Sequence, residues 1–399
     1  MLHHTHSKPI IALTLLILLI LLTQGFFMSA QAQETNRQDI DAKIQTLIDQ
    51  QLPRIAQEAS QFGNSGVVMQ DGKIIAQGVF GSRQKDRDNP VASNDKWHLG
   101  SITKSMTATA IGRLVDQGKL SFDDTIGDLW PEKADQIDPA WRQVTIAQLL
   151  RHLSGAKANF GLGVLFNRTF ENQAALDQAR DEAVLKIMAK APTHQPGTTF
   201  EYSNIGYTIA GVLAAKVAQM PWEKLIEQEV FEPLGLESAG FGAPKGDNPW
   251  GHAKKWMLLT TAIDPEKPES DNSAIMGPAG VAHMSLQDLA SYGQMHLAAE
   301  RGESDYLSAE TAKWLHTAPP QVSEEHPLYA AGWIWLSYRD DGGLSLSHNG
   351  SNTMWYAFLV NDPKTNASIA FATNVGNNEP SGRGFSELTR EVLNLLDQQ

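Results

Sequence analysis

The two ends of this chain carry matching patterns, and that match constrains the fold more than any other feature. Residues 39–62 place apolar side chains at 40, 44, 47, 48, 52, 55 and 59, a helical stripe despite Pro53. Next, Val67-Val68-Met69-Gln70 and Lys73-Ile74-Ile75-Ala76 flank Asp71-Gly72, a strong hairpin signal. At the far end, residues 333–337, 344–348, 355–360 and 368–373 read as strands, followed by a helix with Phe385, Leu388, Val392, Leu395 and Leu396 on one face. Strands and a helix at both termini can share one antiparallel sheet. The pattern predicts an α/β (α+β) fold: an antiparallel sheet flanked by N- and C-terminal helices, plus a mostly helical subdomain. The α/β part covers about 38–100 and 299–399, and the helical part about 101–298, with Gly- and Pro-rich loops.

Composition narrows the function. The chain has 399 residues and a net charge of −13, which repels phosphate backbones and argues against a nucleic-acid partner. It contains no cysteine, so disulfides, thiolate-bound metals and a cysteine nucleophile are excluded. The histidines show no metal-ligand spacing, and neither a metal nor any other cofactor is expected. Residues 1–32 read as a signal peptide: Lys8 is the only charge, residues 10–22 are almost wholly aliphatic, and Ala30-Gln31-Ala32 fits a cleavage site. The alternative is an uncleaved anchor, since the apolar stretch extends towards Met28. Cleavage leaves 33–399 as a periplasmic or secreted protein, touching a membrane only through that first segment.

The G-x-S-x-G elbow, the H-E-x-x-H helix and the P-loop are all absent. What remains is S-x-x-K, which occurs at Ser82/Lys85, Ser93/Lys96, Ser101/Lys104 and Ser154/Lys157. Only Ser101 opens an apolar-periodic helix, with Ile102, Met106, Ala110 and Leu114 on one face. Lys104, one turn on, can reach its hydroxyl. Two further motifs follow in order: Tyr202-Ser203-Asn204 just before a helix, and His348-Asn349-Gly350 at the end of a strand.

In this order the three motifs resemble those of serine β-lactamases of class C type and the related penicillin-binding D,D-peptidases, D-aminopeptidases and esterases. Leu149-Leu150-Arg151-His152-Leu153-Ser154-Gly155, 231–236 and 277–280 extend the likeness over almost the whole mature chain. The resemblance implies that Ser101 is the acylated nucleophile and Lys104 its partner, with Tyr202 and Asn204 facing them. It also implies an oxyanion hole formed by the Ser101 and Ser351 amides beside Gly350. By the same resemblance Arg383, on the last helix, would face a substrate carboxylate, with an ordinary surface ion pair as the competing reading. Ser270-Asp271-Asn272 spells a class A motif, but it follows a polar stretch and reads as loop surface. Trp355, close behind the third motif, is a candidate pocket wall.

Where relatives usually carry K-T-G, this chain has no K-x-G at all, and His348 stands in the lysine's place. With an ordinary pKa of about 6.5, His348 would be an uncharged donor at pH 8 and a cation at pH 5.5, attracting carboxylates only in acid. A phenolate at Tyr202 needs a downward shift of about 3 units from its ordinary value, so the base is assigned to the coupled Lys104/Tyr202 pair. The resulting expectation is an exported serine hydrolase acting through an acyl-enzyme on an ester or amide of a small molecule or peptide. The alternatives are a β-lactamase and a non-catalytic penicillin-binding sensor.

Overall fold

A computed structural model of the chain describes residues 8–255, 259–376 and 379–399, and of 8–30, 32, 33, 254 and 255 the backbone alone. The expected signal segment therefore lies almost wholly outside the residues whose side chains are described. One six-stranded antiparallel sheet joins the termini, its strands in the order Lys73–Gly81, Gly63–Gln70, Ala367–Thr373, Tyr356–Asp362, Leu344–Ser351 and Ile334–Ser337. Asp71 and Gly72 have φ of 51° and 73°, as a two-residue hairpin turn matched to strand twist requires.

Two helices cover one face of this sheet. The N-terminal helix Lys8–Glu58 brings Ile44, Ile48 and Leu52, and the C-terminal helix Glu379–Leu396 brings Phe385, Leu388 and Val392. They bury Val68, Phe358 and Phe371 of the strands beneath them. On the other face the helix Leu286–Glu300 and the central helices pack against Val67, Leu346, Leu359 and Ala370.

The middle of the chain is less helical than expected. Lys96–His98, Ala282–Ser285 and Gly240–Phe241 form a second sheet, and Gly251–Lys255 pairs with Leu259–Ile263. Strands of two to five residues are too short to show a period of two. At its heart lie the helices Thr103–Asp116 and Asn204–Ala218, both almost fully buried.

Candidate active site

Two glycines pressed backbone to backbone build the Ser101 turn. Gly100 has φ +50°, and a β-carbon there would lie 2.3 Å from the Ser351 nitrogen. One on Gly350 would lie 2.0 Å from the Leu99 oxygen and 2.5 Å from the Ser101 nitrogen. Only hydrogen fits at either position, and the contact brings the Ser101 and Ser351 amides to the same crossing. Ser101 itself sits in the tight turn Gly100–Ile102, half-buried, directly before the helix Thr103–Asp116.

The turn is braced from behind by residues far away in sequence. The Gly100 amide donates to His98 Nδ1 at 3.1 Å, so the other ring nitrogen carries the proton and donates to Asp271 Oδ1 at 2.7 Å. The expectation of a surface loop at Ser270-Asp271-Asn272 is thereby corrected. Ser270 is buried, its hydroxyl donating to the Lys267 carbonyl at 2.6 Å, and Asn272 donates to the Gly280 carbonyl at 2.7 Å. Trp355 is corrected too: it is fully buried, stacks on His98, and its indole N–H donates to the Pro249 carbonyl.

Lys104 is the most constrained group in the site. Its Nζ lies 2.6 Å from Asn204 Oδ1, 2.8 Å from the Ala279 carbonyl and 3.1 Å from Ser101 Oγ. Among the described residues, no other S-x-x-K pair is joined by a hydrogen bond. Lys104 is fully buried, and burial pushes its pKa well below the ordinary lysine value. Two of its neighbours can only accept, so a neutral amine spends both protons on them. Its lone pair is then left facing the Ser101 hydroxyl.

The Tyr202 phenol lies beside the Ser101 hydroxyl, and its ring lies 4.8 Å from Lys104 Nζ. Burial raises its pKa above the ordinary phenol value, and the neighbouring Ser101 hydroxyl offsets only part of that. Burial thus pushes the pair apart: the lysine towards neutral amine, the tyrosine towards protonated phenol. That refines the expected shared base by placing the lone pair on Lys104. Asn204 donates to Asn159 Oδ1 at 2.6 Å, which fixes its amide with the oxygen towards Lys104.

His348 and Arg383 do not act as the sequence suggested. His348 Nδ1 donates to the Asn349 carbonyl at 2.6 Å, and Nε2 accepts from the Tyr329 hydroxyl at 3.3 Å. Burial pushes its pKa down to about 3. Both nitrogens are therefore engaged, and the ring stays neutral at pH 5.5 as at pH 8. Arg383 is exposed, pairs with Glu379 at 2.8 Å, and shares a surface pocket with Tyr356 and Asn349 on the helix-covered side of the sheet. The ordinary ion pair is what the structure holds.

One residue along from Ser351, a pocket of about 810 Å³ is lined by Phe166, Met276, Met354, Arg168, Asn272 and Asn352, among others. Sequence reasoning missed Asn159 and Tyr329, and did not connect His98 or Ala279 to the groups they meet in the site. None carries a local signal: His98 meets Asp271 across 173 positions, and Lys104 meets Ala279 across 175.

The β-lactamase family model matches residues 48–394. This chain belongs to that family. Among curated relatives, penicillin-binding protein 4 of Amycolatopsis lactamdurans is 27% identical over 84% of this chain and 85% of its own. Among solved structures, the octameric penicillin-binding protein homologue from Pyrococcus abyssi is 25% identical with a TM-score of 0.69, over 87% of this chain and 76% of its own. The D-amino acid amidase from Ochrobactrum anthropi SV3 is 19% identical with a TM-score of 0.69, over 90% and 98%. The β-lactamase family fold thus extends over the whole sheet and the site described above.

Proposed function

We propose that this protein is an exported serine hydrolase that cleaves esters or D-amino-acid amides through an acyl-enzyme at Ser101. The observation that carries the reading is buried Lys104 Nζ, with Asn204 Oδ1 at 2.6 Å, the Ala279 carbonyl at 2.8 Å and Ser101 Oγ at 3.1 Å. Ser101 Oγ attacks the substrate carbonyl carbon while its proton passes to Lys104 Nζ. The carbonyl oxygen becomes an oxyanion held by the Ser101 and Ser351 amides. As the tetrahedral intermediate collapses, the Tyr202 hydroxyl gives its proton to the leaving oxygen or nitrogen and regains one from the Lys104 ammonium. Water then attacks the acyl carbon, its proton returning through the same pair. The acyl–Oγ bond breaks, releasing the acid and restoring the Ser101 hydroxyl.

The substrate class is argued from charge. Neutral His348 supplies no cation where relatives place a lysine, and Arg383 lies on the far side of the sheet. Arg168 stands on the wall of the pocket beside Ser351, so the reading favours neutral esters and amides at the His348 position itself. The pocket beside Ser351 sets Phe166, Met276 and Met354 against Arg168, Glu269 and Asp271, which suits an apolar side chain carrying a polar group. The amidase and the penicillin-binding proteins among the relatives support an amide-type substrate. Export rests on the pattern of residues 1–32.

A fluorophosphonate probe tests the core of this reading. It should attach to Ser101, located by peptide mass, and Ser101→Ala should lose both labelling and ester turnover. Attachment at Ser82, Ser93 or Ser154 would overturn the assignment.

A further inference from the structure

The segment Leu149 to Gly155 takes no part in the proton transfers above, yet its histidine grips Tyr202 from three sides. The His152 carbonyl accepts the Glu201 amide at 3.0 Å, and its Nδ1 accepts the Ser203 amide at 3.0 Å. Its ring lies 4.4 Å from the Tyr202 ring, centroid to centroid. The residues immediately before and after Tyr202 are therefore tied to one and the same residue. We propose that His152 is the positioning residue of this site, fixing the backbone on both sides of Tyr202 and so aiming its phenol at Ser101. The inference rests on the acyl-transfer reading of Ser101 and Tyr202.

Two features of His152 are unfavourable unless that grip is needed. Its φ is +59°, a left-handed conformation that a β-carbon disfavours. Because Nδ1 accepts, Nε2 carries the hydrogen, and that buried atom has no hydrogen-bond partner. A residue that merely filled this space would avoid both: glycine suits the backbone, and a hydrocarbon side chain would leave no orphan donor. What neither provides is an acceptor for the Ser203 amide. The ring is boxed by Tyr207 and Tyr329 at 5.2 and 4.5 Å, with Phe200 edge-on at 5.8 Å. Protonation of Nδ1 would turn the acceptor into a donor facing an N–H. Burial holds the group well below the ordinary histidine pKa and keeps it an acceptor.

The test compares His152→Gly with His152→Asn. Both suit a left-handed backbone, but only asparagine returns an acceptor. Ser101 phosphonylation rate, kcat and KM on a nitrophenyl ester, and the unfolding transition are measured for each. His152→Gly should lower kcat about 100-fold with KM within about threefold, and His152→Asn should recover to within about tenfold of the parent. In a Tyr202→Phe background, His152→Gly should cost nothing further. The proposal is overturned if folded His152→Gly keeps the parent kcat, if Gly and Asn lose equally, or if the loss is the same without Tyr202. Should His152→Gly not fold, His152→Asn in the two backgrounds decides: any loss must vanish without Tyr202, and an equal loss in both overturns the proposal. Absence of labelling at Ser101 in the parent protein would instead strike the acyl-transfer reading.

Discussion

His348 and Asn349 are consecutive residues of one strand, yet they face opposite sides of the sheet, and the two sides are built on opposite rules. The helix-covered side is mostly hydrocarbon, with one buried ion pair, Arg339–Asp362, at its edge. Phe385 stacks on Phe371 with centroids 5.1 Å apart, and Ile44, Ile48, Leu388 and Val392 close around them. The Ser101 side buries Lys104, His98, His152 and His348, each tied to particular atoms. Burial on the first side stabilises in proportion to area and tolerates rearrangement. On the second side burial opposes charge, so it sets protonation states as well as shape. The fold thus buries apolar area on both faces but places its chemistry on one.

Substitutions on the two faces should separate activity from stability. Gly350→Ala, on the Ser101 side, forces a β-carbon to within 2.0 Å of the Leu99 oxygen and 2.5 Å of the Ser101 nitrogen. Displacing one of the proposed oxyanion donors in this way should cost about 10²–10³ in kcat, with some stability lost as well. Steady-state kinetics beside a melting curve would show both. Phe385→Ala, on the helix-covered side, should destabilise by about 3–5 kcal/mol in denaturant titration, while the folded fraction keeps the parent kcat. Arg383→Ala should do least. An exposed ion pair contributes at most about 1 kcal/mol, and KM for carboxylate-bearing substrates should not move. A selective rise in that KM would return Arg383 to the site and break the contrast between the faces.

What the sequence disclosed follows the same division. The helix-covered side was legible because its periods are local: the stripe from Ile40 to Leu52 and the run from Phe385 to Leu396 each lie within one helix. Ser101 and Lys104 were legible for the same reason, being one turn apart. The character of His348 was not, because its neutrality depends on burial and on Tyr329, 19 positions away on another segment. Nor could spacing reveal that Ser270-Asp271-Asn272 forms the wall behind Gly100, or that Trp355 is enclosed by His98 and Pro249. The face to which Arg383 turns was set by the packing of its helix, which residue type does not disclose.

The central claim is that Lys104 rests as a neutral amine facing Ser101. Protein carrying 13C at the lysine ε-carbons, titrated by NMR beside Lys104→Met to assign the signal, measures this directly. The account predicts a Lys104 transition well below the ordinary lysine range near 10.5. The acid limb of Ser101 acylation should share that midpoint, rate falling as pH drops because an ammonium cannot take the serine proton. A Lys104 signal that titrates with the surface lysines, near 10.5, would contradict it.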